Sequence, residues 1–228
     1  MRPSLLLATG LAAHALPAAS PVIPGVAAAF RIPRRVEDAG GVILTFDDGP
    51  HPQGTAATLE ILARKSAPAT FFLAGEQVER YPALAAEIVA AGHEVGLHCH
   101  CHRNQLRLWP AAIVEDMRRG EAAIVEACER MPRLYRPPYG IFSVAGLWIA
   151  RRRHRPLLWS RWGRDWARHA TADSIAFTAA NGARSGDVIL LHDADHYSVP
   201  GSWRRTVEAV PRILDAVASR GLPVVRVP

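Results

Sequence analysis

From Gly41 onward, short apolar runs of strand length alternate with segments of helical period, and this alternation limits the fold more than any other feature. The apolar runs fall at residues 42–46, 70–73, 93–98, 134–136, 157–159, 187–192 and 223–227. Helical spacing recurs between them. Leu59 and Leu62 lie three apart within 55–65, and Tyr81, Leu84 and Ile88 share a side of 77–91. Ile113, Met117, Ile124 and Cys128 share a face of 111–128. Weaker helices are expected at 143–153, 173–181 and 202–219, the last with a kink at Pro211. Gly92, Gly186 and Gly221 stand just before strands, where a helix must stop. Seven strands interleaved with helices predict an α/β fold with a parallel core, either a (β/α) barrel or an open doubly wound sheet. No internal repeat is visible.

The composition suits a folded domain: 49% of the 228 residues are hydrophobic and 21% are charged. Lys and Arg number 27 against 21 Asp and Glu, a net charge of +6 carried mostly by arginine. That balance suits work near anionic surfaces and identifies none. The arginines are spread over several helices without a recognition motif, so no nucleic-acid partner is expected. Cys99, Cys101 and Cys128 make an odd count that defines no disulfide framework, and Cys99 and Cys101 are too close in sequence for an easy bridge.

Residues 1–35 are rich in Ala and Pro and are read as a leader and linker ahead of one catalytic domain, 36–228. Arg2 precedes an apolar run, 5–13, and Ala13-His14-Ala15 has the small-residue pattern of a cleavage site. The expectation is export, or envelope association through this leader, against a cytoplasmic alternative. The run is short for a membrane span. The chain is expected to act as a monomer.

The polar residues are placed in order. Asp47 and Asp48 follow the first strand and His98 and His102 the third; Arg136-Pro137-Pro138-Tyr139-Gly140 follows the fourth. Asp165 and Trp166 follow the fifth run, and His192 and Asp193 end the sixth. In parallel α/β folds the carboxyl ends of strands meet on one face, where active sites are built. Alone, Asp-Asp before Gly-Pro is a turn signature and Arg-Pro-Pro-Tyr-Gly a rigid loop. The joint arrangement is what points to chemistry.

"HCHCH" at 98–102 has two geometries. Extended, it puts His98, His100 and His102 on one side; in a turn, only His98 and His102 meet. Two imidazoles one turn apart form a familiar metal pair, with Asp47 or Asp48 as the third ligand. The remaining acid is then a candidate base toward water activated by the ion, and His192, oriented by Asp165, a candidate acid. Cys99 and Cys101 are alternative ligands. Trp159, Trp162 and Trp166 are expected in the core rather than as substrate platforms.

Thr45-Phe46-Asp47-Asp48-Gly49-Pro50, His98 with His102, Arg136-Pro-Pro-Tyr-Gly140, Asp165-Trp166 and Leu190-Leu191-His192 resemble, in order and spacing, the five motifs of the polysaccharide deacetylase family, the NodB homology domain of carbohydrate esterase family 4. The resemblance spans about Gly41 to Val227. It implies a distorted (β/α)7 barrel, and zinc, or another divalent cation such as cobalt, on Asp48, His98 and His102. It implies Asp47 as general base oriented by Arg136, the Tyr139 backbone amide at the oxyanion, and His192 as acid tuned by Asp165. Pro138, Tyr139, Trp166 and Leu190 would bind substrate, with Trp166 and Leu190 around the acetyl methyl group. The implied reaction removes N-acetyl groups from an amino-sugar glycan or glycoconjugate, of peptidoglycan or chitin type, and releases acetate.

This sequence departs from the family pattern at three places. Cys99 stands where a loop-bracing Ser or Thr is usual, His100 could compete with the ligands, and Arg161-Trp162-Gly163-Arg164 replaces a segment that often carries an acid. The last leaves open a same-fold amidohydrolase of small N-acyl or cyclic amides. A non-catalytic glycan-binding domain is disfavoured, because no motif residue is missing.

Overall fold

The computed structural model describes residues 13–228. Most of the leader's apolar run lies outside the described residues. Among those described, no helix is long and apolar enough to cross a membrane.

Seven parallel strands form one curled sheet in the order β5-β4-β3-β2-β1-β7-β6. They are β1 (Ile43–Asp47), β2 (Thr70–Ala74), β3 (Glu94–Cys99), β4 (Leu134–Tyr135), β5 (Arg155–Pro156), β6 (Arg161–Trp162) and β7 (Val188–His192). Helices α2 (Gly54–Arg64), α3 (Gly75–Arg80), α4 (Pro82–Ala90), α5 (Pro110–Cys128), α6 (Val144–Ala150), α7 (Ala172–Ala180) and α8 (Ser202–Ala218) supply the crossovers and outer layer; α1 (Pro24–Ala29) precedes the sheet. This is the expected distorted (β/α)7 barrel. Its ends β5 and β6 do not pair with each other.

The central strands are buried on both faces, so they read as continuous apolar runs: all five residues of β1 and of β2 are buried. Ile43, Phe46, Phe71, Phe72 and Leu97 are fully enclosed. The segment ahead of the sheet packs at the gap between β5 and β6. The Pro33 carbonyl accepts from the Leu158 amide, Arg35 bridges Asp187, and Ala27 and Ile32 join the core.

Three expectations change. Residues 157–159 are buried but form no strand; they link β5 to β6, so Asp165 follows β6 and His192 ends β7. The run 223–227 contributes only an isolated bridge, Val42 to Val224. The helix expected at 77–91 is two helices, because Pro82 cannot donate the bond that would carry the first through. Pro211 lies inside α8, which runs through it.

Candidate active site

Strand register builds the site. Asp47 on β1 is directly opposite His192 on β7, so the last residues of adjacent strands face each other across one ladder. On the other side Leu97 pairs with Tyr135, which sets His98 beside Arg136. Both next residues then meet: His98 Nδ1 lies 2.8 Å from the Arg136 carbonyl oxygen. That contact turns His98 Nε2 toward Asp48, 3.3 Å from Oδ1.

Asp48 follows the strand with φ 78°, a left-handed conformation uncommon for a non-glycine residue. The turn brings its carboxylate to both histidines; His102 Nε2 is 3.5 Å from the same Oδ1. One donor atom each from Asp48, His98 and His102 lies within 4.8 Å of the others. The 98–102 segment thus follows the turn geometry rather than the extended one. His100 faces away, its Nδ1 3.9 Å from Glu79. Cys99 alternates to the opposite side of β3 from His98, and burial pushes its thiol well above its ordinary pKa. Neither cysteine belongs to the cluster.

The donor set suits a divalent transition ion. It is one carboxylate and two imidazoles, with one imidazole fixed through its other nitrogen by a backbone carbonyl, as ligating histidines usually are. Burial lowers the His102 pKa to about 4, aided by His98 and His192 and opposed by Asp48, so its ring is neutral at pH 7, the ligating form. Burial works against charge on Asp48, but His98, His192 and His102 more than offset it and hold the carboxyl well below the usual range.

Asp47 is held from behind. Arg136, fully buried, donates from Nη1 to Asp47 Oδ1 at 2.7 Å and to Thr45 Oγ1 at 2.8 Å. Its other donors reach the Leu157 and Leu158 carbonyls, and its guanidinium lies 4.0 Å from the Phe72 ring centre. The buried run 157–159 therefore serves as an acceptor platform for this arginine.

His192 is held in the same manner by Asp165, which accepts from its backbone N–H at 2.6 Å and contacts its Nδ1 at 3.0 Å. Thr206 on α8 donates to the same carboxylate at 2.8 Å. Burial opposes the imidazolium, yet Asp165, with help from Asp48 and Asp47, raises the His192 pKa to about 10.

Asp47, Asp48, His98, His102 and His192 share one pocket of about 670 Å³, also lined by Tyr139, Leu190, Trp159, Trp162, Trp166 and Tyr197. Trp159 is buried, whereas Trp162 and Trp166 are half-buried and stand on the wall, with Trp166 edge-on to His192 at 5.4 Å. That differs from their expected place in the core. Pro138 is buried and does not line the pocket, whereas the exposed Tyr139 does. Arg161 turns away to the carbonyl of Ala179, near the end of α7, and to that of Asn181 just beyond it.

Tyr197 was not legible in the sequence. It comes from the loop after β7, stacks on His102 at 4.3 Å with 9° between the rings, and anchors its hydroxyl on Glu76 and Gln77. No spacing rule connects it to residues so far away in the chain.

A family model described as polysaccharide deacetylase matches residues 34–154. A chitooligosaccharide deacetylase of Bradyrhizobium sp. is 34% identical over 86% of this chain and 94% of its own. A peptidoglycan-N-acetylglucosamine deacetylase of Bacillus cereus is 33% identical over 79% of this chain and 83% of its own. The crystal structure of the Bc1960 peptidoglycan N-acetylglucosamine deacetylase superposes with a TM-score of 0.80 at 26% identity, over 89% of this chain and 94% of the other. Sequence likeness along most of the chain and likeness of fold agree, and on both grounds the chain belongs to the polysaccharide deacetylase family.

Proposed function

We propose that the protein is a metal-dependent N-deacetylase that hydrolyses the acetamido group of an N-acetylglucosamine-containing glycan and releases acetate. One observation carries the reading. A three-donor cluster shares one aromatic pocket with an arginine-held carboxylate and a carboxylate-held imidazolium. Its relatives named above bear the names of chitooligosaccharide and peptidoglycan deacetylases.

Asp48, His98 and His102 would hold the ion, and zinc is the proposed metal because imidazole and carboxylate donors suit it. When bound, such an ion polarises an amide carbonyl and makes water a better acid. Asp47 accepts the proton of the attacking water, with Arg136 fixing the direction of its free lone pairs. The Tyr139 backbone N–H is assigned to the oxyanion that forms at the carbonyl. His192, charged at neutral pH, donates a proton to the leaving amine nitrogen. Trp166 and Leu190 offer the apolar wall for the acetyl methyl group.

Acetate release would be measured with zinc-loaded protein on acetylated chitooligomers, peptidoglycan fragments and small N-acyl compounds. Release from the glycans, lost in Asp48→Ala and His192→Ala, is expected. Release from the small compounds alone would move the assignment to an amidohydrolase of another substrate class.

A further inference from the structure

The two histidines of the proposed metal site are held in different ways. His98 lies within β3, between the paired residues Leu97 and Cys99, and its Nδ1 meets the Arg136 carbonyl, so the sheet positions it. His102 lies beyond the strand, on a segment with no sheet pairing, and its position depends on what fixes residues 99–103.

Helix α5 fixes them. Asp116, 6% exposed, reaches that segment with both carboxylate oxygens. Oδ2 accepts from the His100 backbone N–H at 2.9 Å, and Oδ1 accepts from the Cys101 N–H at 3.1 Å and from Arg103 Nη2 at 2.8 Å. Two consecutive amides between the ligands thus converge on one carboxylate. The His100 carbonyl in turn accepts from the Glu76 amide on α3.

One helical turn later, on the same face, stands Gly120. A methyl group there would sit 2.7 Å from the Cys99 carbonyl oxygen, so α5 touches the segment backbone to backbone only because Gly120 has no side chain. Gly75 on α3 closes the other side: its missing methyl would fall 2.7 Å from His100 Nδ1 and 2.8 Å from Gly120 Cα. Asp116 and Gly120 therefore form a docking cleat, four residues apart, for the ligand-bearing loop.

We infer that Asp116, seated by the close approach at Gly120, is the positioning residue that sets His102 against His98 and Asp48 and so tunes metal affinity. Asp116 belongs to neither the donor cluster nor the pocket lining; it acts through the backbone that carries His102. The same assignment explains Cys99. A hydroxyl at that position could brace this loop locally, whereas here the thiol is buried and the brace comes from a helix. The inference rests on the metal site proposed above, and its test separates the two.

Metal-stripped protein would be titrated with cobalt(II), following its visible absorption and its competition with a chelator. Wild-type protein should bind, and His102→Ala should lose the cobalt spectrum. Failure of either result contradicts the metal site itself. With both satisfied, Asp116→Asn should keep a folded far-ultraviolet spectrum, bind cobalt about 10- to 100-fold more weakly and show altered absorption bands, because the backbone that carries His102 is no longer held in place. Gly120→Ala should act in the same direction and supplies the reading if the Asn variant does not fold. Cobalt affinity within about twofold of wild type, with unchanged bands, in a folded variant would overturn the inference. Loss of the fold by both variants would assign the pair to the barrel rather than to the site and would overturn it as well.

Discussion

The Asp165 carboxylate contacts His192 twice, accepting from the backbone N–H at 2.6 Å and meeting Nδ1 at 3.0 Å. The arrangement fixes the ring and favours its charged form. The folded-state pKa of about 10 lies above the ordinary value. The stabilisation linked to that shift is therefore complete below the unfolded value, about 6.5, and is lost as pH climbs toward the folded one.

Asp165→Asn keeps an acceptor and removes the charge. The alkaline limb of kcat/KM should then move to lower pH, and the thermal stability advantage of wild type over the variant should shrink as pH rises above neutral. A pH–rate profile and melting curves across that range read both. An alkaline limb that stays in place would show that Asp165 does not control the His192 charge.

Arg136 is fully buried and compensates Asp47, so deleting it strands a buried carboxylate. Arg136→Met should cost about 3–5 kcal/mol in urea unfolding, the range for breaking a buried pair from one side. It also orphans the Leu157 and Leu158 carbonyls. Stability equal to wild type would contradict this account of the pair.

Tyr197 closes the pocket over His102 and is pinned by Glu76 and Gln77. Tyr197→Ala should weaken substrate binding by about 1 kcal/mol, a several-fold rise in KM, if sugar rings use this wall. Tyr197→Phe retains the stack and should leave KM near wild type. Equal KM in all three proteins would remove Tyr197 from the substrate path.

The segment ahead of β1 is proposed to be part of the folded domain rather than a linker. Ile32 is 3% exposed and belongs to the core. Ile32→Ala should cost about 2–5 kcal/mol in urea unfolding, as for other large-to-small changes in a core. A linker residue would show no measurable cost.

What the sequence disclosed follows from where information is stored in the chain. β1, β2, β3 and β7 are five or six residues long and nearly wholly buried, so apolar continuity marked each of them. β4, β5 and β6 have two residues each, too few for any period, and the run 157–159 misled because apolarity reports burial rather than sheet pairing. The Pro82 break was written in the sequence and was outweighed by the spacing of Tyr81, Leu84 and Ile88. The residues of the candidate site were legible because each lies at or just beyond the carboxyl end of a strand. Tyr197 and Asp116 were not, since each reaches the site from an element whose approach only the folded chain defines.

The central claim is that Asp48, His98 and His102 jointly hold an ion on which glycan deacetylation depends. The most direct measurement is acetate release from a chitooligomer or peptidoglycan fragment by chelator-stripped protein, before and after zinc is restored. The account predicts no release from the stripped protein, recovery with zinc, and no recovery in His102→Ala. Release that persists after stripping, or a His102→Ala protein that recovers fully, would contradict it.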